Sequence, residues 1–162
     1  MTGTLSAAPS PLERHHRRFA GRPFFDLTLT LLRCVRDGDF DTLASLCDDD
    51  FGIVDIDPSG ANVAIRNRSE WEAWFRSLFA QLATLGAVTD SEVLAYDAVA
   101  GEDLGYSVLE FRQSLTVGGH TATFDCIATI VWKLTADGWR EARWHGSVIH
   151  RDIPDELAAL AG

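Results

Sequence analysis

Hydrophobic positions recur at steps of three and four in the first half of the chain and alternate with polar ones in the second half. Phe25, Leu27, Leu29, Leu31, Leu32 and Val35 form one long apolar surface, and Asp37-Gly38-Asp39 ends the helix they predict. Phe40, Leu43 and Leu46 continue at helical spacing in a second, shorter helix. Ser69-Glu70-Trp71-Glu72 has the form of a capping box, and behind it Trp71, Trp74, Phe75, Leu78, Phe79, Leu82 and Leu85 predict a third helix that runs to Gly86. Ahead of these, Ser10-Pro11-Leu12-Glu13 predicts a short helix stopped by Gly21-Arg22-Pro23.

Residues 51–57 read as a strand ended by a Pro58-Ser59-Gly60 turn. After Gly86 the helical period does not return. Residues 92–99, 104–117, 121–134 and 139–150 read as four strands, and the Gly118-Gly119 and Asp137-Gly138 connections between the later ones are hairpin signals. Four sequential strands with such turns predict an antiparallel meander. Helices first and a long curved meander afterwards predict an α+β fold in which three helices cover the concave face of one sheet. The predicted organisation is an N-terminal arm over residues 1–22, one domain over 23–151 and a short tail over 152–162.

Alternation then assigns faces. On strand 121–134, Phe124, Cys126, Ala128, Ile130 and Trp132 fall on one side; on the last strand, Ala142, Trp144, Gly146 and Val148 oppose Glu141, Arg143, His145 and Ser147. The more apolar set should meet the helices. Phe111, Cys126, Ile130, Trp132 and Trp144 are therefore expected to line a cavity as ligand-binding residues, with Trp74 or Phe75 closing over it. Glu141, Arg143 and His145 are expected on the convex side, among cross-strand charges such as Glu110, Arg112 and Asp125. A bulge near Arg143 would reverse this assignment and return His145 to the cavity, where its imidazole could serve catalysis.

Composition narrows the functions available. The 162 residues carry 24 acidic and 14 basic side chains, a formal net charge of −10, which opposes binding to a phosphate backbone. No apolar run approaches the roughly 20 residues that span a bilayer, and the amino end lacks an apolar signal core, so neither nucleic acid nor membrane is an expected partner and the expected location is cytoplasmic. Cys34, Cys47 and Cys126 are scattered without a CxxC pair, as buried free thiols are. Asp48-Asp49-Asp50 reads as a solvated loop, and with no recognisable ligand spacing or nucleotide motif, neither metal nor cofactor is expected.

The order helix, helix, strand, helix, long strands resembles the nuclear transport factor 2-like superfamily, whose members include ketosteroid isomerases, SnoaL-like polyketide cyclases, scytalone dehydratase and the association domain of calcium/calmodulin-dependent kinase II. Carrying the resemblance are Asp37-Gly38-Asp39, Val131-Trp132, Asp137-Gly138-Trp139 and His145-x-Ser147, within residues 24–150. It implies a cystatin-like cone, a homodimer formed through the sheet, and an apolar cavity able to hold a small molecule. It also implies a general-base Asp near the end of the first strand, which is Asp55 on an ungapped count and Asp57 if the family's Asp-Pro pair is matched. An Asp ordering the turn is the competing use of either residue. The oxyanion-binding Tyr of the isomerases falls on Leu31 and their protonated Asp near Ala128 to Ile130, so a true ketosteroid isomerase is not expected. Two tyrosines, Tyr96 and Tyr106, and no His on the apolar face likewise argue against scytalone-type dehydration. The expectation is a small-molecule-binding protein of cyclase or isomerase type using an Asp base; the alternative is a non-catalytic association domain without an open pocket.

Overall fold

The computed structural model describes residues 10–14, 16–56 and 62–161. Two single turns, α1 (Pro11–Arg14) and α2 (His16–Phe19), lead into α3 (Phe25–Asp37) and α4 (Phe40–Ser45). Leu12 and Phe19 are buried in the main core, so the described part of the N-terminal arm packs on the domain. Phe25, Leu29 and Leu32 stand one turn apart on the buried side of α3. Gly38 ends that helix at φ 66°, and one residue later the Asp39 carboxylate accepts from the Thr42 N–H at 3.1 Å to begin α4.

The strand β1 (Cys47–Ile56) starts earlier than the apolar pattern suggests, because Asp48 and Asp50 belong to it; they pair with Lys133 and Arg143, each at 3.2 Å. A short β2 (Asn62–Ile65) that the pattern does not reveal pairs antiparallel with β1. The helix α5 (Arg68–Thr84) is capped by Asn67, not Ser69: its side chain accepts from the Glu70 N–H at 2.9 Å, and the Glu70 carboxylate accepts from the Arg66 N–H. Then come β3 (Val88–Ala100), β4 (Leu104–Val117), β5 (His120–Thr135), β6 (Gly138–Asp152) and a final turn α6 (Asp155–Ala158).

One six-stranded sheet results, in the order β2-β1-β6-β5-β4-β3. The expected antiparallel meander is present from β3 to β6, while β1 joins β6 in parallel and makes the sheet mixed. Gly118 and Gly119, at φ 58° and 83°, form the two-residue turn that keeps β4 and β5 in register from end to end. The curved sheet wraps around α3 and α5. At one end Phe24 occupies the left-handed region at φ 60° and stacks its ring on Trp132 at 5.4 Å, with Trp139 edge-on at 5.0 Å. A Cβ on Gly105 would come within 2.5 Å of that ring, so this aromatic plug requires glycine at 105. Among the described residues, no helix is long and apolar enough to cross a membrane.

The pairing of β5 with β6 contains two extra residues on β6. Val131 pairs with Arg143 but Trp132 pairs with Glu141, leaving Ala142 as the inserted residue, and a second shift lies between Asp125 and Cys126. The first of these decides what the cavity contains.

Candidate functional site

A cavity of about 230 Å³ lies between the helices and the concave face of the sheet. Its closed end is walled by buried side chains: Leu31 and Leu32 of α3, Leu43 of α4, Phe51 of β1 and Trp71 of α5. Toward the other end the walls are half-buried: Leu78 and Leu82 of α5, Leu115 of β4, Phe124 of β5 and Val148 of β6. This half-buried end is the mouth. Among the described residues that line it, few are polar: Thr89, Gln113, Ser147 and Glu141.

Glu141 is the chemically distinctive member, with only 3% of its surface exposed. The expected position of Glu141 on the convex side is corrected by the Ala142 bulge. Strict alternation cannot place Trp139 and Trp144 on one face, since they are an odd number of residues apart, yet both are drawn inward, Trp139 onto Phe24 and Trp144 into the cavity. One inserted residue reconciles them, and Glu141 follows Trp139 inward. The corner between α4 and β1 fixes it there: the Glu141 N–H donates to the Leu46 carbonyl at 2.8 Å. The Cys47 thiol donates to Glu141 Oε2 at 3.6 Å. Arg68 braces the same corner from α5, donating to the carbonyls of Ala44 at 2.9 Å and Cys47 at 3.2 Å while pairing with Glu72 at 3.1 Å.

Burial pushes the Glu141 carboxyl up to about 8, against the smaller opposing effect of the Cys47 hydrogen bond. Burial, reinforced by the nearby Glu141 charge, pushes the Cys47 thiol up as well. A carboxyl in this state holds its proton at neutral pH, can donate it to a bound acceptor, and becomes a strong base once ionised. Among the described residues, no group of three or more His, Cys, Asp or Glu side chains is placed to hold a metal ion.

Of the residues expected around the cavity, Trp74, Phe75, Phe111, Cys126 and Trp144 line it. Ile130 and Trp132 do not; they are fully buried in a separate cluster beneath Phe24, where the Trp132 indole N–H donates to Ser107 Oγ at 3.0 Å. This departure has a steric cause, since Phe24 fills that end of the cone. His145 is exposed on the convex face, paired between Val54 of β1 and Thr129 of β5, so the bulge returns Glu141 to the cavity and not His145. Asp55 pairs with Val63 through β1, and its side chain, like the whole of Asp57, lies outside the described residues. The expected convex charge pairing is present between Arg112 and Asp125, at 2.6 Å.

The sequence matches the SnoaL-like domain over residues 26–151. The chain belongs to this SnoaL-like family. Its architecture is that of the nuclear transport factor 2-like, cystatin-like fold. Among solved structures this SnoaL-like chain is similar to a hexachlorocyclohexane dehydrochlorinase, with a TM-score of 0.65 and 13% identity over 86% of this chain and 91% of that one. It is similar to a candidate dehydratase of the NTF2-like family from Streptomyces avermitilis, with a TM-score of 0.62 and 18% identity over 76% and 91%. It is also similar to a candidate calcium/calmodulin-dependent kinase II association domain from Thiobacillus denitrificans, with a TM-score of 0.58 and 21% identity over 80% and 96%. No curated protein matches the sequence. At these identities the likeness establishes the fold, and one fold hosts both enzymes and assembly domains.

Proposed function

We propose that this SnoaL-like protein binds a small, largely apolar molecule in the cavity and transfers a proton with Glu141, as a cyclase, isomerase or lyase. The observation that carries this reading is a buried carboxyl facing an apolar cavity, its pKa raised to about 8. The names dehydratase and dehydrochlorinase of two structural neighbours both denote eliminations, reactions that need a proton removed from carbon. Ionised Glu141 would take the proton beside a carbonyl, the C–H electron pair passing into an enolate; the resulting carboxylic acid would return that proton to another carbon or to a departing oxygen. Leu31 lines the cavity where an isomerase would place its oxyanion-binding Tyr, so the strongly stabilised enolate of a ketosteroid isomerase is not proposed.

The reaction can be tested without knowing the natural substrate. Methyl ketones are incubated with the protein in heavy water and deuterium entry next to the carbonyl is followed by NMR. Exchange that rises with pH through about 8 and is lost in Glu141→Gln supports the reading. Equal exchange in the variant, or none in the wild type, overturns Glu141 as the base.

A second copy of the chain is proposed to pair through the convex sheet face. There Val54, Val99 and Tyr106 are 50%, 50% and 44% exposed, alongside the Arg112–Asp125 pair. Sedimentation of the wild type and of Tyr106→Glu tests it: a wild-type dimer that dissociates in the variant supports the interface, and a wild-type monomer refutes it. The association-domain reading predicts this dimer together with no ligand binding at all.

A further inference from the structure

We infer that the ligand of this cavity is chain-shaped and uncharged: a single hydrocarbon chain with an oxygen function at its inner end, against Glu141, and a tail that leaves between α5 and the far end of the sheet. The inference rests on the proposed reading of the cavity and adds the class of molecule. Shape is the first support. A sphere holding 230 Å³ would be only about 8 Å across. Yet Glu141 and Val148, which both line the cavity, are seven residues apart on β6, a separation of about 20 Å after allowing for the bulge. On the opposite wall, Trp71 and Leu82 are separated by about 16 Å along α5. A volume of this size stretched between such distant walls is long and narrow, the shape of an extended chain rather than of a compact ring system.

Polarity is the second support. Glu141 shares the lining of the closed end with the apolar Leu43, Phe51 and Trp71, so one oxygen function is accommodated there and a polar molecular body is not. Among the described residues neither Lys nor Arg lines the cavity, and the chain carries a net charge of −10, so a carboxylate head would enter against repulsion and find no counter-ion there. Ketones, aldehydes and alcohols satisfy the site; fatty acids do not. Near the mouth Gln113, which accepts from Ser91 Oγ at 2.8 Å, and Thr89 supply a polar rim beyond which a longer tail would meet water.

The test is a calorimetric binding series with linear methyl ketones of about six to fourteen carbons, the fatty acids of matching length, and a compact bicyclic ketone of ten carbons. The chain reading expects Kd to fall about fourfold per added methylene and to level off near ten carbons, where the tail leaves the mouth. It expects fatty acids at neutral pH to bind at least tenfold more weakly than ketones of equal length. Leu115→Trp, at the mouth, should weaken the longest ketones severalfold more than the six-carbon one. A bicyclic ketone that binds tighter than its linear counterpart, with no dependence on chain length, would overturn the inference while leaving Glu141-dependent exchange, and with it the proposed function, intact. Failure of every ketone to bind would remove both.

Discussion

Replacing Glu141 by Gln keeps the shape of the side chain and removes its ionisation, so it isolates the effect of burying a carboxyl. In the folded protein this group titrates near 8, against 4.5 for an unperturbed Glu. Because the folded value is the raised one, the native state holds a proton that the unfolded chain has already lost between these two pH values. The contribution is therefore fully present below about pH 4.5 and is lost as pH rises toward 8. Each pH unit inside that window is worth about 1.4 kcal/mol. Between pH 5 and pH 8 the wild type should lose roughly 3 kcal/mol relative to Glu141→Gln, and the burial of the group leaves little solvent to screen that figure. The nearby Cys47 thiol does not mimic the effect, since it is pushed further from neutrality. Urea unfolding of both proteins at the two pH values, at one protein concentration, gives the double difference and cancels every other titration. A wild-type-to-variant gap that is the same at both pH values within about 0.5 kcal/mol would refute the claim that Glu141 is desolvated in the native state.

Three further outcomes are expected. Gly105→Ala should destabilise the fold by about 1–3 kcal/mol in urea unfolding, because its methyl would sit 2.5 Å from the Phe24 ring and 2.7 Å from the Val99 carbonyl oxygen. His145→Ala and Asp55→Asn should leave deuterium exchange into a bound ketone within about twofold of wild type, since the proposed proton transfer belongs to Glu141. A tenfold loss in either would move the chemistry to the convex face or to the end of β1. Cys34 and Cys47, both buried and both pushed above the ordinary thiol range, should resist a disulfide reagent in the native protein and react only on unfolding; rapid modification of all three thiols at neutral pH would contradict their burial.

Most of the elements were readable from local signals. The heptad-like spacing of Phe25, Leu29 and Leu32, the Asp39 cap and the Gly118-Gly119 turn each act within a few residues, so α3, α4 and the β4–β5 hairpin follow from sequence alone. The apolar lining followed the same way, Trp74 and Phe75 from helical spacing and Phe111, Cys126 and Trp144 from strand alternation, neither of which needs distant information. What local pattern could not supply was the short β2, the parallel pairing of β1 with β6, and the phase of β6 itself. The phase matters most. A strand's faces are counted from a reference residue, and one inserted residue reverses every assignment on its far side. The only trace of the Ala142 bulge in the sequence is that Trp139 and Trp144 are an odd number of residues apart. Whether both turn inward depends on Phe24 arriving over Trp139 and on Leu46 waiting to bond the Glu141 N–H, contacts made with residues about a hundred positions away. Sequence alone therefore determined that the chain would build a sheet around an apolar cavity, while tertiary packing decided that the carboxyl inside it would be Glu141.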